Sequence, residues 1–298
     1  MGNLLSRKAW KRRIDRWTGA FRPPASTIKI ATYTPSIPNR LNPSPTAGSE
    51  SSAPSSKPSS KPLNPKLLAA RAAAEGIEFL VPEKQIGDLF EGGDVAEVVM
   101  LPRLIRSHKW AMPEHELLIL GAIANILNPR LIVEFGTFRG GSTLAMASNS
   151  AADSRVITID LDPKLRKVHE HGTGVGLSEF DVGCLFRNTR FSSRIEQRFA
   201  NSVEFVDNDL VGKADLILVD ADHTYEFARR DTEKAMQFLK PGGTIVWHDY
   251  TWEPQNSECA GVTRTVNEFW QKHGNCFQIA GTRFAIYNDA SGNASRIA

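Results

Sequence analysis

The chain has 298 residues, 41% hydrophobic and 23% charged, so it can bury a sizeable core and is neither wholly disordered nor collagen-like. Its formal net charge of +3 is uneven: residues 1–65 carry 11 basic and 2 acidic side chains, the remainder 25 basic and 31 acidic. A basic tail precedes a mildly acidic body, and that body lacks the electrostatic footprint of a nucleic-acid binder.

No apolar run reaches the roughly 18 residues that a membrane-spanning helix needs. Cys184, Cys259 and Cys276 are odd in number and widely spaced. That pattern predicts reduced thiols in a cytoplasmic-type protein, not a disulfide scaffold or a structural zinc cluster.

Residues 1–65 read as a tail. Trp10, Ile14, Trp17 and Phe21 recur at spacings of 4, 3 and 4, one face of a helix over 4–21. Lys8, Lys11, Arg12, Arg13 and Arg16 lie mostly off that face. A basic amphipathic helix of this kind can lie on an anionic membrane surface, so peripheral membrane contact is one expectation. The opening Met1-Gly2-Asn3-Leu4-Leu5-Ser6 also fits the N-myristoylation pattern. An organellar transit peptide and a merely solubilising tail are the competing readings. Pro and Ser fill more than half of residues 34–65, which predicts a disordered linker.

Residues 66–113 are expected to form a helical cap or lid, and 114–289 the main domain, with a flexible end at 290–298. Glu114–Leu127 reads as an amphipathic helix stopped by Asn128-Pro129. Seven short apolar runs follow: Leu131–Phe135, Val156–Asp160, Ile195–Ala200, Asp215–Asp220, Thr244–His248, Phe277–Ile279 and Arg283–Tyr287. Helical patterns fall between them near 142–151, 163–170, 201–207, 224–239 and 262–273. The alternation predicts an α/β fold: a doubly wound, mainly parallel, seven-stranded sheet covered on both faces. Ala280-Gly281-Thr282 joins the last two runs like a hairpin, which makes one strand antiparallel.

The most informative segment is Leu131-Ile-Val-Glu134-Phe-Gly136-Thr137-Phe-Arg-Gly140-Gly141-Ser142. A buried strand ends in a Gly-rich turn that opens a helix, leaving backbone amides free to meet a ligand. The next strand ends in Asp160, where doubly wound folds place an acid on ribose hydroxyls. Two polar clusters end the fourth and fifth runs: Asp220-Ala-Asp222-His223 and His248-Asp249. Neighbouring parallel strands set such ends side by side, so Asp220, His223, His248 and Asp249 are expected to converge. Carboxylate oxygens suit Mg²⁺ or Mn²⁺, and an imidazole suits the second better. His223 is the candidate base. Asp222 is read as a cap of the following helix.

The Glu-x-Gly-x-x-x-Gly spacing resembles motif I of class I S-adenosylmethionine-dependent methyltransferases, a Rossmann-like family, and Lys240-Pro-Gly-Gly243 before the fifth strand is similar to a turn common there. The resemblance covers roughly residues 115–288. It implies that Glu134, Gly136, Thr137, Gly140 and Ser142 bind S-adenosyl-L-methionine, with Glu134 at its methionine end, that Asp160 holds the ribose, and that Asn201 and Ser202 lie near the adenine. The clusters after strands four and five resemble the sugar O-methyltransferase and cephalosporin hydroxylase-like subgroup. That likeness implies a divalent metal on Asp220 and Asp249, with His223 as base. His248 stands where the subgroup often has an acid, and it completes the candidate metal set of Asp220, His248 and Asp249. The implied acceptor is a hydroxyl of a small molecule or sugar.

Two other functions compete. A NAD-dependent oxidoreductase shares the acid at Asp160 but lacks GxGxxG spacing and gives no account of His248-Asp249. A non-catalytic, membrane-tethered scaffold needs none of the site residues. Methylation of nucleic acid is not expected from the acidic body, and the sequence leaves the oligomeric state open.

Overall fold

The computed structural model describes residues 76–105, 110–165, 181–202, 204–251 and 259–289. They all fall in one compact unit spanning Ser60–Ala298. The basic tail with its amphipathic segment, the Ser/Pro-rich linker and the chain's last nine residues lie outside the described residues, as does most of the 163–170 helical pattern.

Eight strands form one sheet: β1 Glu83–Lys84, β2 Leu131–Phe135, β3 Arg155–Asp160, β4 Ile195–Phe199, β5 Ala214–Val219, β6 Leu239–Trp247, β7 Cys276–Ile279 and β8 Ala285–Asn288. Their order is β1-β7-β8-β6-β5-β2-β3-β4. Every pairing is parallel except those of β8, which runs antiparallel to β6 and β7. The doubly wound sheet with one antiparallel strand is as the alternating pattern predicts, with one strand more than seven. The addition is β1, two residues paired parallel to β7. A strand that short carries no periodicity to read.

The helices are α1 Ile86–Leu89, α2 Glu114–Leu127, α3 Gly141–Asn149, α4 Tyr225–Phe238 and α5 Cys259–His273. Strand residues alternate between two cores, as a pleated sheet covered on both sides requires. Val133, Phe135, Ile217, Val219, Ile245 and Trp247 pack with Ala228, Ala235, Phe238, Val262, Val266 and Phe269 of α4 and α5. Ile132, Leu216, Leu218 and Val246 pack with Leu117, Leu120 and Ile123 of α2 and with Leu144 and Met146 of α3. Fully burying one such side chain contributes about 1.5–3 kcal/mol, so the two layers fix the strand ends firmly.

The expected helical cap takes another form. Residues 76–113, as far as they are described, hold β1, and their helical content is only the four-residue α1 and a three-residue 3-10 turn at Pro102–Leu104. Gly87, Gly92, Gly93, Pro82, Pro102 and Pro113 interrupt the apolar periodicity that a helix needs. The segment is an extended strap fastened by side chains. Asn149 Nδ2 donates to the Val99 carbonyl and its Oδ1 accepts from the Val99 amide at 2.7 Å. The Tyr250 hydroxyl accepts from the Val81 amide, and Asn267 Nδ2 donates to the Glu78 carbonyl.

Two further differences concern the loops. The helical pattern at 201–207 is turn, not helix, at the residues described. The Lys240-Pro-Gly-Gly243 turn lies inside β6, where pairing with β5 jumps from Ala214–Leu239 to Leu216–Thr244. Gly242 has φ +80° there, so the strand starts earlier than its apolar run and carries an irregularity.

Candidate active site

Strand order reverses between β2 and β5: the chain winds outward through β3 and β4, then returns to the other side of β2. Ligands of doubly wound sheets bind in the crevice at the carboxyl ends of the strands at such a point. The Gly-rich turn after β2 and the acids after β5 meet there. A Cβ on Gly136, whose φ is +97°, would sit 1.9 Å from the carbonyl oxygen of Asp220. Only glycine lets the two strand ends approach so closely.

On the β2–β3–β4 side, Glu134 is fully buried. It accepts hydrogen bonds from the hydroxyls of Ser142, at 2.5 Å, and Thr143. Burial pushes its carboxyl up to about 7, against those two hydroxyls, which favour the charged form. The structure thus turns Glu134 and Ser142 toward each other, tying the first turn of α3 to β2. Thr137 is likewise buried, and its hydroxyl pairs with that of Thr158 at 2.6 Å. Asp160 Oδ2 accepts from the amides of Thr137 and Phe138 at 3.1 and 2.8 Å. It therefore holds the Gly-rich turn in shape. Gly140, with φ +82°, is the N-cap of α3 and supplies no side-chain cap. The N-terminus of α3 suits a carboxylate, such as that of a methionine moiety. Asn201 and Ser202 are half-buried just past β4. The Asn201 carbonyl closes its turn by accepting from the amides of Glu204 and Phe205. Donors at the α3 terminus and acids and amides along three strand ends fit S-adenosyl-L-methionine.

On the β5–β6 side, Asp220, His223, His248 and Asp249 come together as the strand order predicts. His248 Nδ1 lies 3.1 Å from Asp220 Oδ1 and 3.4 Å from Asp249 Oδ2. His223 Nε2 lies 3.0 Å from Asp249 Oδ2 and 3.8 Å from Asp220 Oδ1. Asp249 has φ +58°, a left-handed conformation that a short polar side chain tolerates. Asp222 stays out of the cluster. Its Oδ1 accepts from the Thr224 amide and hydroxyl at the entry to α4.

The site also holds Glu116 and Arg283, which the sequence reading misses. Glu116 is 1% exposed on α2 and accepts from His248 Nε2 at 2.9 Å. It also accepts from Arg283 through the backbone amide at 2.8 Å, Nε at 3.2 Å and an η nitrogen at 2.9 Å. The other η nitrogen of Arg283 donates to Asp249 Oδ1 at 2.6 Å. A signal for Glu116 existed: it shares the buried stripe of α2 with Leu120 and Ile123 at helical spacing. Arg283 offered none, because a single Arg beside a hairpin turn is ordinary.

The electrostatics follow from the count of groups. Three carboxylates face one guanidinium, so with neutral imidazoles the cluster carries −2. Two ring protons or one divalent cation would balance it. Burial opposes charge on Glu116, but His248 and Arg283 outweigh it and bring that carboxyl down to about 2. Burial also opposes charge on His223, yet Asp220 and Asp249 raise it to about 10. His248 is raised well above its ordinary value despite burial, by Asp249 and Asp220. Asp249 and Asp220 are lowered against burial, chiefly by His248 and then His223.

The donor set also fits a divalent cation. Ligand atoms of Asp220, His248 and Asp249 all lie within 4.8 Å of one another. Glu116 can hold the His248 Nε2–H and so turn a lone pair on Nδ1 inward, the usual support of a metal-bound imidazole. Arg283 occupies Asp249 Oδ1 and leaves Oδ2 facing the centre.

One close contact sets the position of His223. A Cβ on Gly261, near the start of α5, would lie 2.3 Å from the Tyr225 amide nitrogen and 2.4 Å from the His223 carbonyl oxygen. Gly261→Ala is expected to destabilise the fold by roughly 1–3 kcal/mol through this overpacking. Urea denaturation measures it; an unchanged midpoint would show that α5 does not press on the His223 loop.

Residues 133–250 match the family described as a methyltransferase domain. Catechol O-methyltransferase domain-containing protein 1 of Mus musculus is 24% identical over 160 residues, half of this chain. The match spans about half, 55%, of that relative's own length. Among solved structures, the O-methyltransferase from Bacillus cereus in complex with SAH is 17% identical, with a TM-score of 0.44 over 74% of this chain and 97% of that one. TomG from Streptomyces achromogenes, an O-methyltransferase of tomaymycin synthesis in complex with SAM, is 18% identical, with a TM-score of 0.39 over 74% and 94%. The Gly-rich turn and the paired acidic strand ends both fall within residues 133–250, the stretch that matches the methyltransferase domain.

Proposed function

We propose that the chain is an S-adenosyl-L-methionine-dependent O-methyltransferase that methylates a hydroxyl of a small molecule or sugar with the help of Mg²⁺ or Mn²⁺. The observation that carries this reading is the meeting of His223 with Asp220, His248 and Asp249 beside the Gly136 turn. Bound at that turn, S-adenosyl-L-methionine supplies a methyl group on a positively charged sulfur. The α3 N-terminus binds its carboxylate, and Asp160 keeps the turn shaped for it. Asp220, His248 and Asp249 would hold a divalent cation, which would make an acceptor hydroxyl more acidic. Arg283 and Glu116 hold Asp249 and His248 in place. His223 accepts the hydroxyl proton at a ring nitrogen. Alignment of donor and acceptor supplies much of the rate, as in other bimolecular transfers.

Asp220 and Asp249 keep His223 charged near neutral pH when nothing else engages them, so its service as a base at that pH depends on a cation drawing those carboxylates away. Peripheral membrane contact through the basic N-terminal segment belongs to the same reading, as does a cytoplasmic setting. Among the described residues no helix is long and apolar enough to cross a membrane.

Calorimetric titration of the full chain with S-adenosyl-L-methionine, with and without Mn²⁺, tests the cofactor. Saturable binding is expected, weakened about 10- to 100-fold by Asp160→Ala, the value of charge-assisted bonds to the turn amides. Binding of NAD⁺ in its place would favour the oxidoreductase, and binding of neither would favour the scaffold.

A further inference from the structure

We infer that His223, Asp249 and Cys259 form a second cation site, for a borderline-soft divalent ion of the zinc class, and that filling it inhibits the enzyme. One ligand atom from each of the three lies within 4.8 Å of the others. The 3.0 Å between His223 Nε2 and Asp249 Oδ2 is close to the separation of about 3.3 Å between two ligands on a tetrahedral ion with bonds of about 2 Å. Imidazole, carboxylate and thiolate are the donors of tetrahedral zinc sites, whereas Mg²⁺ avoids sulfur.

The fold assembles this set by a specific contact. Cys259 is the first residue of α5 and is 1% exposed. Gly261, two residues on, lets the first turn of α5 lie directly on the backbone at 223–225. That approach delivers the thiol beside His223. The side chains of His223 and Asp220 are 28% and 20% exposed, so the centre is open to ions from that side.

The soft set differs from the hard set of Asp220, His248 and Asp249, but the two share Asp249. Arg283 holds Asp249 Oδ1, so ions in the two sets compete for Oδ2. A zinc-class ion also takes the ring nitrogen lone pair that His223 needs to accept a proton. This inhibitory consequence rests on the proposed role of His223; the binding itself does not.

Cobalt(II) tests the binding without reference to turnover, because thiolate coordination gives it a near-ultraviolet charge-transfer band. The full chain titrated with Co²⁺ is expected to show the band, and Zn²⁺ to remove it. The band should vanish in Cys259→Ala. It should persist in a Cys184→Ser/Cys276→Ser chain, where Cys259 is the one remaining thiol. No band in the wild-type chain overturns the site, as does a band that depends on Cys184 or Cys276. Zn²⁺ should also inhibit methyl transfer by the wild-type chain in competition with Mn²⁺. A thiolate band without inhibition would leave the site standing and remove its proposed effect on His223. A band in a chain that binds no S-adenosyl-L-methionine would keep the site and sink the proposed function.

Discussion

Glu116→Ala is expected to destabilise the fold by about 3–5 kcal/mol, the cost of removing one partner from a buried ion pair. Glu116 is 1% exposed, and its carboxylate serves both His248 and Arg283. Alanine would leave a buried imidazole and a guanidinium facing Asp220 and Asp249 alone. It would also untie three chain segments, since Glu116 joins α2 to the end of β6 and to the turn before β8. The pH dependence has a definite sign. Glu116 falls from an ordinary 4.5 to about 2 in the folded chain, because His248 and Arg283 outweigh burial. A depressed carboxyl stabilises the fold fully above its unfolded value and loses that contribution as pH falls through its folded value. The stability gap between wild type and Glu116→Ala, from urea curves, should be full above about pH 5 and shrink toward pH 2. A gap that stays constant over that range would mean the Glu116 charge contributes nothing.

The parts of this centre that were legible in the sequence share one property: their signal is local. Gly136, Gly140 and Asp160 stand at fixed offsets from apolar runs, so a strand–turn–helix–strand reading places them. Asp220, His223, His248 and Asp249 follow two runs whose adjacency is a rule of parallel sheets. The illegible parts depend on contacts across long separations. Glu116 meets His248 from 132 residues away and Arg283 from 167. Cys259 reaches His223 only because Gly261 admits a backbone contact that no spacing announces. The helical cap expected over 66–113 is a strap where it is described, because its anchors are single side chains. Tyr250 follows β6 and Asn267 lies in α5, so neither belongs to the strap's own pattern. Residue types also hid their orientation: Thr137 and Ser142 fit a ligand-binding turn, yet their hydroxyls face Thr158 and Glu134.

His223→Ala is expected to lower turnover by about 10²–10⁴, the usual contribution of a positioned acid–base group, while leaving S-adenosyl-L-methionine affinity within about two-fold. The asymmetry follows from position. His223 lies against Asp220 and Asp249 on the β5–β6 side, whereas the Gly-rich turn is held by Asp160 from β3. In the cation-free chain His223 rises from an ordinary 6.5 to about 10, the two carboxylates overcoming burial. A raised imidazole stabilises the fold fully below its unfolded value and loses that contribution as pH climbs through its folded value. The wild type should therefore exceed His223→Ala in stability below about pH 6.5, by a margin that disappears toward pH 10. Turnover should show the opposite dependence, because only the neutral ring accepts a proton: without added cation the rate should climb toward pH 10. Mn²⁺ engaging Asp220 and Asp249 removes the charges that hold the ring proton, so the rising limb should move to lower pH. Rate–pH profiles with and without Mn²⁺ measure that displacement. Unchanged turnover in His223→Ala would assign the proton to another acceptor, and coincident profiles would separate the cation from His223.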